Sequence, residues 1–226
     1  MNNFFFNNIL TLNFPHGSTP VMGNIINFHE KCLLIILFVL VVVLTLLLYN
    51  ILFSLSQTNG LENTLLEILW TVIPTLIIIT IMVPSLEILY FSEESGGSFF
   101  SNNLKVVGHQ WYWTYDEFEI SNQALLNFDS YLINESDLNL GEFRNNEVDR
   151  PVIFEVNRAT RLLITSADVI HSWAVPEFGV KVDAVPGRLN QIVVFTSEPG
   201  RFFGYCSELC GVNHSFMPIV VEVINI

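Results

Sequence analysis

From Cys32 to Phe53 the chain runs for 22 residues without one charged side chain, and most of those residues are Leu, Ile or Val. As an α-helix rising about 1.5 Å per residue, that stretch covers the roughly 30 Å hydrocarbon core of a bilayer. Lipid offers no partner to an open backbone group, so a spanning segment must close its hydrogen bonds internally, and a helix does this even with many β-branched residues. A second uncharged run, Ile68 to Leu86, adds 19 residues. With 51% hydrophobic and only 14% charged residues, the chain is too apolar for an ordinary soluble domain.

These runs predict a transmembrane helical hairpin over 32–91, with spans at about 32–53 and 64–91. Before it lies a tail, 1–31, rich in Asn and Phe, with turn residues Pro15, Gly17 and Pro20 and a short interfacial helix expected over Val21–Lys31. The polar stretch Ser54–Asn63 reads as a loop, with Asn63 or Thr64 capping the second span. Pro74 and Pro84 fall inside that span, where membrane bundles accept a kink. Glu67 and Glu87 are 20 residues apart, about 30 Å on a helix, so both can sit near headgroup level. Glu67 can cap the span or feed protons inward, and its position fits either. Two spans leave both tails on one side. Lys31 and Lys105 are too few flanking bases to say which. Residues 1–30 hold no Lys or Arg, so neither a basic secretory signal nor an arginine-rich transit peptide is expected there.

Beyond the spans the composition changes. Residues 92–103 are acidic and then glycine-rich, a hinge, and 104–226 is expected to be a separate domain. From Ser92 onward there are 18 acidic and 8 basic residues, and the whole chain carries a net charge of −13. Such a domain repels nucleic acid, which is excluded as a partner, and draws a basic protein toward it by steering. Short runs at Val152–Val156, Arg161–Thr165, Gln191–Thr196, Gly200–Cys206 and Pro218–Ile224 read as strands. Turn signals such as Pro186–Gly187 and Pro199–Gly200 separate them, which predicts a β-sandwich or barrel. Alternation from Lys105 to Tyr115, through GHQWYWTYD, suits one strand with Trp111 and Trp113 on a shared face.

Between the last two of these strands lies CSELCGVNHSFM, residues 206–217. It offers two thiols, Cys206 and Cys210, an imidazole, His214, and a thioether, Met217. His171, in VIHSWAVP, can add a second imidazole. Soft donors of this kind suit copper far better than magnesium or calcium. Four readings stay open on chemistry alone: a disulfide, a structural zinc on Cys206, Cys210, His214 and His171, a single blue-type copper, or two coppers bridged by both thiolates.

Four segments then carry a resemblance that covers nearly the whole chain: LLEILWTVIPTLIIITIMVPSLEILY, GHQWYWTYD, DVIHSWAVPEFGVKVDAVPGRLNQ and GYCSELCGVNHSFMPIVVEV. Together they resemble subunit II of the mitochondrial haem–copper cytochrome c oxidases. The resemblance implies a two-helix transmembrane hairpin followed by an all-β, cupredoxin-like Greek-key domain. It implies a dinuclear copper A centre on His171, Cys206, Glu208 through its backbone carbonyl, Cys210, His214 and Met217. It further implies a magnesium ion bound by Glu208 and shared with subunit I, and electrons entering from cytochrome c at Trp111. Docking acids would include Asp116, Glu117, Glu119 and Asp168, and Glu67 would lie at the mouth of a proton path into subunit I. Electrons would leave, by way of His214, for haem a in subunit I, which also holds haem a3 and CuB and reduces oxygen. Membrane lipid and other oxidase subunits would surround the spans, in the mitochondrial inner membrane, with both termini in the intermembrane space. The chain departs from the commoner animal pattern at Glu87, where arginine is frequent, and over Phe143–Arg158. The copper-free quinol-oxidase relatives, the copper domain of nitrous oxide reductase and a zinc-stabilised scaffold each fit less of this pattern.

Overall fold

The computed structural model describes residues 14–53, 62–94, 102–119 and 125–225, with backbone alone at 93, 94, 118, 119 and 125. Residues 1–13 of the expected tail, 95–101 of the hinge expected over 92–103 and most of the loop expected after Phe53 lie outside the described residues. The chain divides into two compact units, Asn24–Tyr90 and the remainder.

Helix α1 runs Pro20–Leu52 and helix α2 runs Thr64–Glu94. Pro20 takes the first helical position, where its missing N–H costs nothing. Thr19 caps α1: its Oγ1 accepts from the Met22 N–H at 3.1 Å. The separate interfacial helix expected over Val21–Lys31 is therefore corrected, because cap and proline start one helix that continues into the first span. At α2 the cap is Asn63, whose Oδ1 accepts from the Leu66 N–H at 3.1 Å. Within the apolar stretches the few polar side chains bond back to their own helix. Thr45, Thr71 and Thr75 each donate to the carbonyl four residues earlier, at 2.7, 2.9 and 2.7 Å. Both helices are long and apolar enough to cross a membrane.

The other unit is a sandwich of two five-stranded sheets. The strands are β1 Asn102–His109, β2 Tyr112–Glu119, β3 Leu125–Ser130, β4 Val152–Glu155, β5 Ala159–Ser166, β6 His171–Val175, β7 Val180–Ala184, β8 Asn190–Phe195, β9 Gly200–Cys206 and β10 Pro218–Ile224. One sheet has the order β3-β2-β1-β5-β8 and the other β4-β10-β9-β6-β7. Among the described strands, only β1–β5 and β4–β10 pair in parallel. Alternate residues of β1 and β5 point inward, so Leu104, Val106, Leu162 and Ile164 meet Val152, Phe154, Trp173, Ile219 and Val221 from the facing sheet. Trp113 and Trp173 are fully buried at the centre. A strap before α1 lies on this unit: the Ser18 N–H donates to the Glu177 carbonyl at 3.0 Å, and Ser197 N–H donates to the Ser18 carbonyl at 3.1 Å.

Two further expectations need correction. The single strand expected over Lys105–Tyr115 is a hairpin, β1 turning into β2 at Gln110–Trp111 and closed by the His109–Tyr112 pair. Trp113 therefore enters the core while Trp111 stays half-buried on the turn. Strands β3, β6 and β7 were not expected. All five residues of β6 are buried, so it shows no alternation.

Candidate metal centre

Cys206 ends β9 and His171 begins β6, and these strands are neighbours, with Trp173 opposite Cys206. The Ser207 N–H donates to the Ser172 carbonyl at 3.0 Å, which extends the pairing into the loop. From there the chain leaves the sheet, passes Cys210, turns at Gly211 with a φ of 121°, and returns through a 3-10 turn at His214–Phe216 into β10. That φ favours glycine, and the space is closed as well: a Cβ on Gly211 would lie 3.0 Å from the Trp111 indole.

The loop gathers its donors in a small volume. Cys206 Sγ lies 3.9 Å from Cys210 Sγ, 3.9 Å from His171 Nδ1 and 3.3 Å from the Glu208 carbonyl oxygen. Cys210 Sγ lies 3.4 Å from His214 Nδ1 and 3.5 Å from Met217 Sδ. The ligand atoms of His171, Cys206 and Cys210 all fall within 4.8 Å of one another. The disulfide reading is corrected: a bond needs about 2.05 Å between sulfurs, and both cysteines are free. His171, Cys210 and Met217 are buried at 0%, 4% and 2% exposure, so the donors face inward. Glu208 itself is exposed, while its carbonyl joins the cluster.

The surroundings fix these donors from outside. Asp168 Oδ1 lies 2.8 Å from His171 Nε2. A hydrogen bond there holds the ring with Nδ1 toward Cys206, the usual way a carboxylate sets the tautomer of a ligating histidine. Trp113 meets the His171 ring edge-on at 5.9 Å and donates its indole N–H to the Met217 carbonyl at 3.2 Å. Beneath the ring sits Gly108, where a Cβ would come within 2.9 Å of the imidazole. The Cys210 carbonyl accepts from Gln110 Nε2 at 2.9 Å and from the Trp111 indole at 3.2 Å.

Electrostatics separate the two thiols. Burial raises the Cys206 thiol, but hydrogen bonds from His171, Ser172 and Glu208 outweigh it and bring it down to about 7. Burial and the negative charge on Cys206 push the Cys210 thiol up to about 12. For His171, burial opposes protonation, yet Cys206 and Asp168 carry the balance and raise it. One thiolate thus forms readily, and the second proton waits for a metal cation to displace it.

Two thiolates, two imidazoles and a thioether fit copper, and they exceed the four ligands of a structural zinc. Of the other residues singled out from the sequence, Trp111 and Asp168 join this cluster. Asp116 lies on β2 with Lys105 Nζ at 3.3 Å and Asn127 beside it, and Glu117 follows on the opposite face. The Glu119 side chain falls outside the described residues. Glu67 stands in the first turn of α2, in the helical unit. Gln110, Gly108 and the indole of Trp113 were not singled out from the sequence for the roles they take here. Their partners are 58 to 104 residues away, and no local pattern marks them.

Comparisons with known proteins agree with this architecture. The family model for the periplasmic domain of cytochrome c oxidase subunit II matches residues 102–224, and that for its transmembrane domain matches 7–88. A cytochrome c oxidase subunit 2 from Myxine glutinosa is 44% identical over 96% of this chain and 93% of its own length. One from Ctenocephalides felis is 43% identical over 97% and 95%. The crystal structure of the periplasmic domain of subunit II of cytochrome oxidase (CoxB) of Bradyrhizobium japonicum is 39% identical, covering 56% of this chain and 86% of its own, with a TM-score of 0.50.

Proposed function

The chain belongs to the cytochrome c oxidase subunit II family, and we propose that it carries electrons from reduced cytochrome c to haem a of subunit I through a dinuclear copper A centre. Membership makes it a membrane-anchored, multi-pass subunit of an oxidoreductase complex, with a cupredoxin-like domain after its two helices. The observation that carries the finer reading is the convergence of His171, Cys206, Cys210, His214 and Met217, whose donor atoms adjoin one another at 3.4–3.9 Å. Copper held there, with the Glu208 carbonyl as the sixth donor, supplies a reversible one-electron couple.

This chain's own residues do the rest. Cys206 and Cys210 would give up their protons and hold the copper as thiolates. Asp168 keeps His171 Nδ1 turned to the sulfur. Trp113 and the buried strands around Met217 exclude water, so little solvent has to reorganise. Trp111 joins the protein surface to the ligand loop through its hydrogen bond to the Cys210 carbonyl, a fitting place for an electron to arrive. The acids Asp116, Glu117, Glu119 and Asp168 would steer lysine-rich cytochrome c toward it, and His214, on the loop's half-buried rim, would face subunit I. The exposed Glu208 carboxylate suits a shared magnesium, and Glu67 suits a proton-path mouth. The setting that follows is the mitochondrial inner membrane, with the β-domain and both termini in the intermembrane space.

The test is copper counting with electron paramagnetic resonance on the full chain in detergent. Two coppers per chain sharing one unpaired electron, with hyperfine splitting from both nuclei, is the expected result. One copper per chain, or a preference for zinc, overturns the dinuclear reading.

A further inference from the structure

We propose that Gln110 is a positioning residue that ties the two ligand-bearing segments of the centre together. The inference rests on the copper reading above and concerns how this chain holds that site. Gln110 lies at the tip of the β1–β2 turn and acts at both of its ends. Its backbone N–H donates to Asp168 Oδ2 at 2.7 Å. The other oxygen of Asp168 holds His171 Nε2 at 2.8 Å. Its side-chain Nε2 donates to the Cys210 carbonyl at 2.9 Å. One residue of the first sheet's turn therefore reaches a histidine donor on β6 and a cysteine donor on the β9–β10 loop.

The geometry of the turn serves both bonds. The backbone donor is free for Asp168 because the ladder between β1 and β2 ends at the His109–Tyr112 pair. Gly211 leaves room for the side chain: a Cβ there would sit 3.3 Å from Gln110 Nε2. The Cys210 carbonyl takes a second donor from the Trp111 indole at 3.2 Å. Both lone pairs of that oxygen are used, and both donors come from the same two-residue turn.

A consequence for the metal follows. The Gln110 amide and the Trp111 indole bring the positive ends of two N–H dipoles up to the ligand loop at Cys210, and positive potential beside the site favours the reduced ion. Removing one lets the Cys210 segment relax and takes away part of that potential, so copper leaves faster and the reduction potential falls. The Trp111 bond survives, so the loss is that of a single ordinary hydrogen bond, worth roughly a fivefold change in rate or affinity.

The experiment compares the full chain with its Q110M and Q110E variants after copper loading in detergent. Met keeps the length and removes the donor. Glu sets a carboxylate oxygen against the Cys210 carbonyl and beside Asp168. Copper release to a chelator, the reduction potential and the unfolding midpoint of the metal-free chain are measured for each. Expected are release about fivefold faster in Q110M, faster still in Q110E, and a lowered potential in both. Release and potential unchanged in Q110M overturn the proposal, as does a change in unfolding midpoint with no change in potential. Failure of the unsubstituted chain to show the two-copper spectrum overturns the reading of the site itself, and that outcome is seen before any variant is compared.

Discussion

Gly108 offers the sharpest perturbation of the centre, because it lies directly under a ligand ring. In G108A the new methyl would stand 2.9 Å from His171 Cδ2, 3.0 Å from Cγ and 3.1 Å from Cβ. Carbon atoms in contact prefer about 3.5–4.0 Å, so two or three pairs would overlap by roughly 0.5–1 Å each. His171 cannot swing aside. It is fully buried, its Nε2 is bonded to Asp168, and Trp113 stands against its edge. The crowded atoms include the root of the side chain, so a change of rotamer at the far end brings no relief. Overpacking of this kind costs about 1–3 kcal/mol, and the metal-free chain should lose that much stability to denaturant. Copper affinity should fall as well, because the ring must shift relative to Cys206. A disturbed support for a ligating histidine typically costs about 10- to 100-fold in metal affinity. Chelator competition on the full chain measures the affinity, and denaturant unfolding without metal measures the stability. If G108A binds copper within twofold of the unsubstituted chain, the argument that packing beneath His171 sets its position is wrong. G108S makes the same contact with an added hydroxyl and should be no better.

Two other outcomes follow from charge. With the Cys206 thiol near 7 and the Cys210 thiol near 12, copper uptake at pH 8 should release about one thiol proton, and uptake at pH 6 about two, with His171 adding to the release as its raised value is approached from above. Affinity should therefore rise with pH throughout this range and rise more steeply below about 7. Equal proton release at pH 6 and pH 8, read in weakly buffered solution, would contradict the split between the thiols. Away from the metal, Glu147 is 2% exposed and pairs with Arg201 Nη2 at 2.6 Å. R201M should cost about 2–3 kcal/mol, since among the described residues it leaves the buried carboxylate with the Phe143 N–H alone. The double variant R201M/E147Q should recover part of that loss, and strictly additive effects in denaturant unfolding would count against a coupled pair.

The legible parts of this chain were those where one segment decides its own state. Lipid leaves an uncharged 22-residue run few choices, and β9 and β10 are short runs bounded by the Pro199–Gly200 turn and the ligand loop, so their ends at Gly200, Cys206, Pro218 and Ile224 were read directly. The donors were legible because thiol, imidazole and thioether in one 12-residue loop make unusual chemistry. What escaped depends on remote partners. Nothing near Gln110 shows that Asp168, 58 residues on, will take its N–H, or that Cys210, 100 residues on, will take its amide. Without those bonds, alternation through GHQWYWTYD reads as one strand. The start of α1 was a different miss. Thr19 and Pro20 are local signals of a helix start, but beside Pro15 and Gly17 they read as turn chemistry.

A loop of a dozen residues is a poor way to hold an exact geometry unless its backbone is committed elsewhere, and here it is. The Cys210 carbonyl is taken by Gln110 and Trp111, the Met217 carbonyl by Trp113, and the Ser207 N–H by Ser172. Three of those four partners belong to the β1–β2 hairpin, in the sheet that does not carry the loop. The ligands therefore sit on one sheet while their orientation is set by the other. The sandwich must close before the site has its shape. Electron transfer would reward this arrangement, because a site that barely moves when its charge changes pays little reorganisation, and the same support explains why glycine stands at 108, against the His171 ring, and at 211, against the Trp111 indole and the Gln110 amide.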